Sequence, residues 1–205
     1  SRQGGKTVEH ALRAGRVFAD GPAFSLDGGV VFAITGPAAP AGPADSVEML
    51  TPDPEAWTVI EAAAGRTFSG LSTPPAAAPD GGLAPKGSGR RVAWISRGVD
   101  GSGDIRMIDA ESMASETPVE GVAVEAIAFT PGAAAIVFTA RDGGGRMQAW
   151  TVNAFRSGTR RGYARDHIAG APDGDLICPT PRGAENWFLA KTCDDAWQVM
   201  CAKPK

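Results

Sequence analysis

Oxygen-bearing side chains alternate in the segment "DGSGD" (100–104), where Asp100, Ser102 and Asp104 occupy every second position. Oxygen ligands at alternate positions are typical of calcium-binding loops. The glycine that an EF-hand loop needs is missing, because an isoleucine follows Asp104. We therefore weigh two interpretations, a hairpin turn and a calcium site; no other cofactor is indicated.

A second candidate is basic. The segment "RSGTRRGYAR" (156–165) surrounds one tyrosine with four arginines, namely Arg156, Arg160, Arg161, Tyr163 and Arg165. Guanidinium groups bind phosphates and carboxylates in bidentate fashion. The cluster is a candidate partner-binding site for a phosphate, a carboxylate-bearing peptide or an acidic partner, and a solvated loop between repeats is the alternative.

The three cysteines, Cys178, Cys193 and Cys201, all lie in the last 28 residues. A tight hairpin would bring Cys193 and Cys201 onto neighbouring strands, close enough for a disulfide if both side chains share a face. Reduced thiols are the alternative. No CxxC pair or nearby histidine indicates a zinc site.

No catalytic set can be assembled from the sequence. A GxSxG nucleophile elbow is absent, and the two histidines, His10 and His167, cannot be ordered with a serine and an aspartate. Asp194 and Asp195 are adjacent, so on a strand they would face opposite sides of the sheet. We expect this chain not to be an enzyme.

Composition narrows the class of protein. The 205 residues are 43% hydrophobic, with a net charge of −3 and many turn formers, 27 glycines and 16 prolines. An acidic balance gives no case for nucleic-acid binding, and no apolar run is long enough for a membrane-spanning helix. The turn-rich composition favours short strands over long helices.

A repeat organises these elements. The segments "PAFSLDGGVVFAITG" (22–36), "GLAPKGSGRRVAWISRG" (82–98) and "IAFTPGAAAIVFTARDG" (127–143) each contain an apolar residue, a short turn and a strand with an aromatic residue. Superposing the aromatics aligns Phe32, Trp94 and Phe138, at spacings of 62 and 44 residues, and Trp187 marks a weaker fourth copy. A period of 40 to 50 residues is typical of propeller blades, each a four-stranded antiparallel sheet.

The sequence thus predicts an all-β chain, a β-propeller or an open propeller-like array of about four antiparallel blades. The predicted units span roughly 22–70, 83–122, 127–165 and 172–203, with Pro/Ala/Gly inserts at 36–45 and 72–89. Four blades could close a ring or form part of a larger one with exposed end blades. A two-sheet β-sandwich is the alternative fold.

The repeats resemble the TolB-type WD40-like (PD40) β-propeller repeat, in which a Phe-Ser-Pro-Asp-Gly turn precedes a strand and an Asp-Ile hairpin follows it. The matching residues are Phe24, Ser25, Asp27 and Gly28 in the first copy, Asp104, Ile105 and Asp109 in the second, and Phe129, Thr130 and Pro131 in the third. The third copy departs from the pattern, with Gly132 and Ala133 in place of Asp and Gly.

The resemblance implies a non-catalytic binding or scaffold module with a protein partner, in the periplasm or secreted. It equally implies an accessory propeller of a prolyl oligopeptidase-like serine hydrolase whose catalytic domain this chain lacks. A structural subunit of an envelope assembly, as an oligomer or in a larger complex, is a third hypothesis. The tryptophans, at positions 57, 94, 150, 187 and 197, are interpreted as core between blades rather than as a ligand platform.

Overall fold

The computed structural model describes residues 2–3, 6–7, 11–38, 40, 42–52, 55–75, 90–130, 133–154, 165–170, 174–182, 185–192 and 197–202. No α-helix occurs in these ranges, and hence none that is long and apolar enough to cross a membrane. The strands form three four-stranded antiparallel sheets, one three-stranded sheet and a short ribbon. The predicted all-β fold is confirmed.

Each sheet is a meander whose strands pair in chain order. The ribbon consists of β1 (Arg2–Gln3) and β2 (Lys6–Thr7). The first sheet contains β3 (Arg16–Phe24), β4 (Val31–Pro37), β5 (Ser46–Pro52) and β6 (Glu55–Ala62). The second contains β7 (Arg66–Ser72), β8 (Arg91–Gly98), β9 (Gly103–Asp109) and β10 (Ala114–Val122). The third contains β11 (Val124–Phe129), β12 (Ala135–Arg141), β13 (Met147–Asn153) and β14 (Arg165–Gly170). The fourth contains β15 (Gly174–Arg182), β16 (Glu185–Thr192) and β17 (Trp197–Ala202).

The sheet boundaries differ from the units drawn on the sequence. The strand Arg66–Ser72 falls in the first predicted unit, yet it pairs with Arg91–Gly98 as the first strand of the second sheet. The reason is composition: β7 (RTFSGLS) carries two large apolar residues, Phe68 and Leu71, whereas β8 (RVAWISRG) carries a continuous apolar run, so the sequence pattern marks the second strand of this sheet more strongly than the first.

The first strand of each sheet is the inner one. β3 packs against β7, β7 against β11, and β11 against β15, so the four sheets follow one another around a common axis. Among the strands that the structure describes, none of the first sheet packs extensively on the fourth. The arrangement is an open propeller-like array of four sheets, not a two-sheet sandwich.

The array has two rims. At the entry rim the first strands begin; it comprises residues 13–18, 42–45, 63–66, 97–104 and 141–146. At the exit rim the first strands end; it comprises residues 24–30, 90–91, 109–113 and 133–135. The first and second sheets contact each other at both rims. Phe68 N donates to Ala44 O at the entry rim, and Arg90 Nε donates to Asp27 Oδ2 at the exit rim.

The hydrophobic core lies between neighbouring sheets. One cluster joins the first and second sheets and includes Phe32, Phe68 and Trp94. A second cluster joins the second and third sheets and includes Ile95 and Phe138. The first three sheets therefore bury both faces of their second strands, β4, β8 and β12.

The sequence alignment of the three aromatics places them on equivalent strands but not on equivalent faces of their sheets. Phe32, Trp94 and Phe138 all lie on second strands and are buried. Phe32 faces forward to the next sheet, whereas Trp94 and Phe138 face back to the preceding one. The register explains the difference: Ala23 pairs with Phe32 and Ala128 pairs with Val137, so Val137 is the equivalent of Phe32. A shift of one residue reverses the face of a strand.

An irregularity in the inner strands joins the first two sheets. The β7–β8 register shifts between Ser69 and Ser72, which takes the intervening amides out of the ladder. Gly70 N and Leu71 N donate instead to Asp20 Oδ2 on β3, at 2.8 and 3.2 Å. Bulges leave backbone groups that need another partner. Here the carboxylate of the neighbouring sheet accepts both hydrogen bonds.

Candidate binding surface

Arginines at the start of two inner strands form the same cluster twice. Arg16, the first residue of β3, donates through Nη2 to Thr35 Oγ1 at 2.8 Å and also binds the Asp45 carboxylate. Arg66, the first residue of β7, donates to Ser96 Oγ at 2.7 Å and to Asp104 Oδ2 at 2.6 Å. A guanidinium thus links a hydroxyl on the second strand to a carboxylate at the third.

The first of these clusters contains a fully buried carboxylate, that of Glu48 on β5. Arg13 Nε donates to Glu48 Oε2 at 3.0 Å and Arg13 Nη2 donates to Oε1 at 2.8 Å. Thr35 Oγ1 donates to Oε1 at 2.7 Å, and Arg16 Nε lies 3.6 Å from it. The charge is therefore compensated by a bidentate arginine and a hydroxyl, which burial of a carboxylate requires.

Opposing effects set the pKa of Glu48. Burial by itself raises the pKa, but the hydrogen bonds from Arg13 and Thr35, together with the charges of Arg13 and Arg16, outweigh it. The pKa of Glu48 consequently lies below its usual value, and the same hydrogen bond raises the pKa of Arg13. Glu48 is ionised at neutral pH and serves as an anionic anchor rather than as a proton donor.

The segment that supplies Arg13 is attached at a second point. Trp57 Nε1 on β6 donates to Ala11 O at 2.8 Å. Residues 11–13 thus lie against the face of the first sheet that points away from the second, where Ala33 and Leu50 are also buried. This short segment covers part of that face.

Further ion pairs continue along the entry rim to the third sheet. Arg97 Nη2 donates to Val124 O at 2.6 Å and lies 3.4 Å from Glu125 Oε2, and Arg141 Nε lies 3.7 Å from Glu125 Oε1. These side chains are partly exposed, so each pair adds little to stability. A rim that carries both charges can still select a partner through electrostatic complementarity.

Large apolar side chains are exposed on the same rim. Val17 and Phe18 follow Arg16 on β3, and Val99 occupies the turn after β8. Phe18 is the repeat equivalent of Phe68, because both stand two residues after the cluster arginine and pair with the cluster hydroxyl residues, Thr35 and Ser96. Phe68 is 3% exposed and Phe18 is 49% exposed. The difference arises because the first sheet covers Phe68, whereas among the described strands no four-stranded sheet covers the Phe18 side of the first.

The predicted calcium residues occupy the hairpin turn between β8 and β9. Asp100 Oδ1 accepts hydrogen bonds from Ser102 N at 3.0 Å and Ser102 Oγ at 2.7 Å, which lower the pKa of Asp100. Asp104 points elsewhere, with Oδ2 bound to Arg66 and Oδ1 to Gly121 N. The turn uses its oxygens internally, and in the described part of the chain no three acidic, histidine or cysteine side chains converge on a metal position. Calcium binding stays an untested prediction.

Most of the other predicted site residues lie outside the described residues. They are Arg156, Arg160, Arg161, Tyr163, Cys193, Asp194, Asp195 and His10. Arg165 begins β14, where it pairs with Val152. Cys201 is exposed on β17, and the register sets it opposite Trp187. The basic cluster and the Cys193–Cys201 disulfide therefore stay predictions.

The tryptophans divide into three groups. Trp94 is buried in the core and its Nε1 donates to Glu61 Oε2 at 2.9 Å, while Trp150 packs against the second cluster. The prediction of core tryptophans is confirmed for these two. Trp57 instead holds the segment 11–13. The side chains of Trp187 and Trp197 lie outside what the structure describes.

Among the described residues, His167 contacts Gln148 and Trp150, neither of which forms a catalytic set with it. Its Nε2 lies 3.2 Å from Gln148 Oε1, and its ring stands edge-on to Trp150 with 4.8 Å between centroids. No serine or carboxylate is recorded with it. This geometry gives no support to a hydrolytic triad in the described residues.

Sequence reasoning missed the arginine clusters, although a signal was present. The segments "AGRVF" (14–18) and "AGRTF" (64–68) differ at one position and lie 50 residues apart, at the blade period. Each begins with a turn and places the arginine at the first position of an inner strand. Glu48 carried no such signal, because a single glutamate within an apolar strand reveals its partners only once the strands pair.

Neither the family models nor the curated proteins include a match to this chain. Solved structures do resemble it. The putative TolB from Agrobacterium tumefaciens aligns with a TM-score of 0.58 at 16% identity over 87% of this chain and 58% of its own. TolB from Acinetobacter baumannii aligns with a TM-score of 0.57 at 15% identity over 91% and 40%, respectively. A prolyl endopeptidase structure aligns with a TM-score of 0.61 at 12% identity over 91% and 25%.

These likenesses establish the fold, a propeller of the kind found in TolB, and agree with the resemblance noted in the sequence. The chain spans about half the length of the TolB structures and a quarter of the prolyl endopeptidase. At this level of identity the comparison concerns architecture only.

Proposed function

We propose that this chain is a non-catalytic binding propeller that holds a protein partner on its entry rim. The observation that carries the proposal is the contrast between Phe18, 49% exposed, and its repeat equivalent Phe68, 3% exposed. A phenylalanine that is core in one repeat and surface in another leaves an apolar contact available to a partner.

The surroundings of Phe18 support this function. Val17 and Val99 are further exposed apolar side chains on the same rim, which also carries the arginines at positions 13, 16, 66 and 97. Protein interfaces combine an apolar centre with a polar edge and are enriched in aromatic residues and arginine. The rim offers both parts.

We further propose the cell envelope as the compartment, with the periplasm first. The fold likeness to two TolB structures supports the localisation that the sequence resemblance implies. Fractionation of cells that express the full gene product would test it, and recovery in the cytosol would contradict it.

A second candidate function is an accessory propeller of a serine hydrolase. The likeness to a prolyl endopeptidase, of which this chain covers 25%, favours it specifically. This candidate predicts a GxSxG-bearing hydrolase domain in the full gene product or in a co-purifying chain. Intact mass spectrometry of the natively purified protein tests it, and a 21.0 kDa species without such a companion would count against it.

A structural subunit of an envelope assembly is a third candidate, which a strict monomer in light scattering would contradict.

The rim proposal is tested with two variants of one strand. Phe18→Ser removes the apolar contact at the entry rim, and Phe24→Ser removes a side chain of the same type, 55% exposed, at the exit rim. Proteins captured from an envelope extract by the wild-type chain would be compared with those captured by each variant. We expect Phe18→Ser to lower recovery of a specific partner about tenfold or more, as loss of an interface hot spot does.

Phe24→Ser is the matched control and should retain the partner. Equal loss in both variants would point to general destabilisation, which their melting temperatures would reveal. Equal retention in both, with folding intact, would sink the entry rim as the binding surface.

A further inference from the structure

Of the two carboxylate oxygens of Glu48, Oε2 accepts a hydrogen bond from a single side chain, that of Arg13. Oε1 accepts from Thr35 and from Arg13 Nη2, whereas Oε2 accepts from Arg13 Nε in the described contacts. The carboxylate is fully buried. If Arg13 leaves, Oε2 loses this partner and the carboxylate opens to solvent on the side that the arginine covered, so water takes the place of the guanidinium.

The geometry at Glu48 is selective for a guanidinium. Arg13 approaches with Nε and Nη2 on the two carboxylate oxygens, which is the bidentate fork that a lysine ammonium cannot reproduce. Arg16 and Thr35 fix the opposite side of the carboxylate. We call the group formed by Arg16, Thr35 and Glu48, which contacts the head of Arg13, the Glu48 socket.

The socket is filled from solvent. The Arg13 side chain is 44% exposed while the Glu48 side chain is 0% exposed, so the stem of the arginine lies at the surface and only its head enters. Besides this head, the segment 11–13 is held by two hydrogen bonds in the described part of the chain, from Trp57 Nε1 to Ala11 O at 2.8 Å and from Arg16 N to Arg13 O at 3.2 Å. Both use backbone carbonyls of the segment, so the guanidinium head is the part of this attachment that is specific to arginine.

We propose that the Glu48 socket is a binding site for an arginine side chain presented by an extended peptide, occupied internally by Arg13. The site lies on the entry rim beside Val17 and Phe18, so a partner of the proposed function that displaces Arg13 would present an arginine next to apolar residues. That assignment of the partner rests on the proposed function. The socket itself rests only on the geometry at Glu48.

The test removes the internal arginine and supplies it from outside. The host is the full chain with Arg13→Ala, and the probe is the blocked peptide acetyl-Ala-Leu-Arg-Ala-amide, which copies residues 11–14. Because a ligand that binds only the folded state stabilises it, we expect a saturable rise of the melting temperature of the host with peptide concentration. The lysine version of the peptide should bind about tenfold more weakly or worse, since it lacks the fork.

Controls separate the socket from general effects. The double variant Arg13→Ala/Glu48→Gln should not respond to either peptide, and the wild-type chain should respond little because Arg13 competes. If Arg13→Ala does not fold, Arg13→Lys is the host, since it keeps the charge without the bidentate contact. No shift in a folded host, or equal shifts with the arginine, lysine and alanine peptides, would overturn the proposal. Failure of the capture experiment would remove the proposed function but leave this peptide result unchanged.

Discussion

At the scale of residues, the described charges fall into two kinds. Glu48 is fully buried and bonded to Arg13 and Thr35, so its charge state is tied to the folded structure. The pairs at Glu125 are open to solvent and contribute little to stability. Asp27 is partly exposed, yet its carboxylate accepts three hydrogen bonds. In the turn before β4 its carboxylate accepts from Ser25 Oγ at 2.6 Å, Gly29 N at 2.9 Å and Arg90 Nε at 2.7 Å.

These contacts make Asp27 a source of pH-dependent stability. The Ser25 hydroxyl, more than compensating the effect of burial, and then the Gly29 amide and Arg90 lower the pKa of Asp27 from 3.8 to about 2. Because the folded-state pKa is the lower one, the stabilisation is full above about pH 4 to 5 and is lost as the pH falls towards 2. Asp27→Asn should therefore cost about 1 kcal/mol at pH 7, allowing for exposure, and nearly nothing at pH 2.

Urea unfolding at both pH values measures this difference. High salt is the control, since it should weaken the exposed Arg90 pair and leave the hydrogen bonds of Ser25 and Gly29 in place. A cost that does not change between pH 7 and pH 2 would mean that the charge of Asp27 is not what stabilises the turn.

At the scale of elements, the inner strands decide how closely the sheets approach. β3 and β7 both depart from regular pairing, and Asp20 accepts the two amides that β7 leaves free. Gly70 stands at this irregularity with a φ of +66°, a conformation that side chains disfavour. A Cβ at this position would lie 2.9 Å from Ile95 Cδ1 in the core of the second sheet.

Gly70→Ala should consequently destabilise the protein by about 2 to 4 kcal/mol, from backbone strain and from the clash with a buried side chain. Gly101→Ala is the matched control: its φ is +81°, yet nothing lies within 4 Å of the added Cβ. We expect it to cost about 1 kcal/mol. Thermal or urea unfolding compares the two variants, and equal costs would show that the contact with Ile95 is not tight.

At the scale of the whole molecule, the sheets form a linear series of contacts. The first packs on the second, the second on the third and the third on the fourth. Stability in such arrays is close to a sum of units and nearest-neighbour interfaces. Residues 11–13 contact the face of the first sheet that points away from the second.

Two core substitutions test this independence. Trp94→Ala opens the interface between the first and second sheets, and Phe138→Ala opens the one between the second and third. Each should cost about 3 to 5 kcal/mol as a large-to-small change in a core. Amide hydrogen exchange, followed by mass spectrometry, should become faster mainly in the first two sheets for Trp94→Ala. For Phe138→Ala it should become faster mainly in the second and third sheets. Identical exchange patterns would instead indicate one cooperative unit.

The sequence by itself determined the class of fold, the repeat and the approximate number of sheets. It could do so because strands alternate with period two and turns need glycine, proline and aspartate, so each second strand and hairpin leaves a local signature, as at Ser25 to Gly28 or Asp100 to Asp104. It also allowed a correct prediction that Trp94 is core. The inner strands left weaker signatures, because they bury fewer apolar residues.

Only the tertiary structure decided which face each aromatic uses and which residues form the proposed binding surface. Phe32 lies out of phase with Trp94 and Phe138 because pairing, not composition, sets the register. Phe18 and Phe68 share a motif but differ in exposure, since burial depends on whether another sheet lies against them. The Glu48 socket brings Arg13 together with Thr35 and Glu48, which follow it by 22 and 35 positions in the sequence. Such long-range contacts have no local sequence pattern.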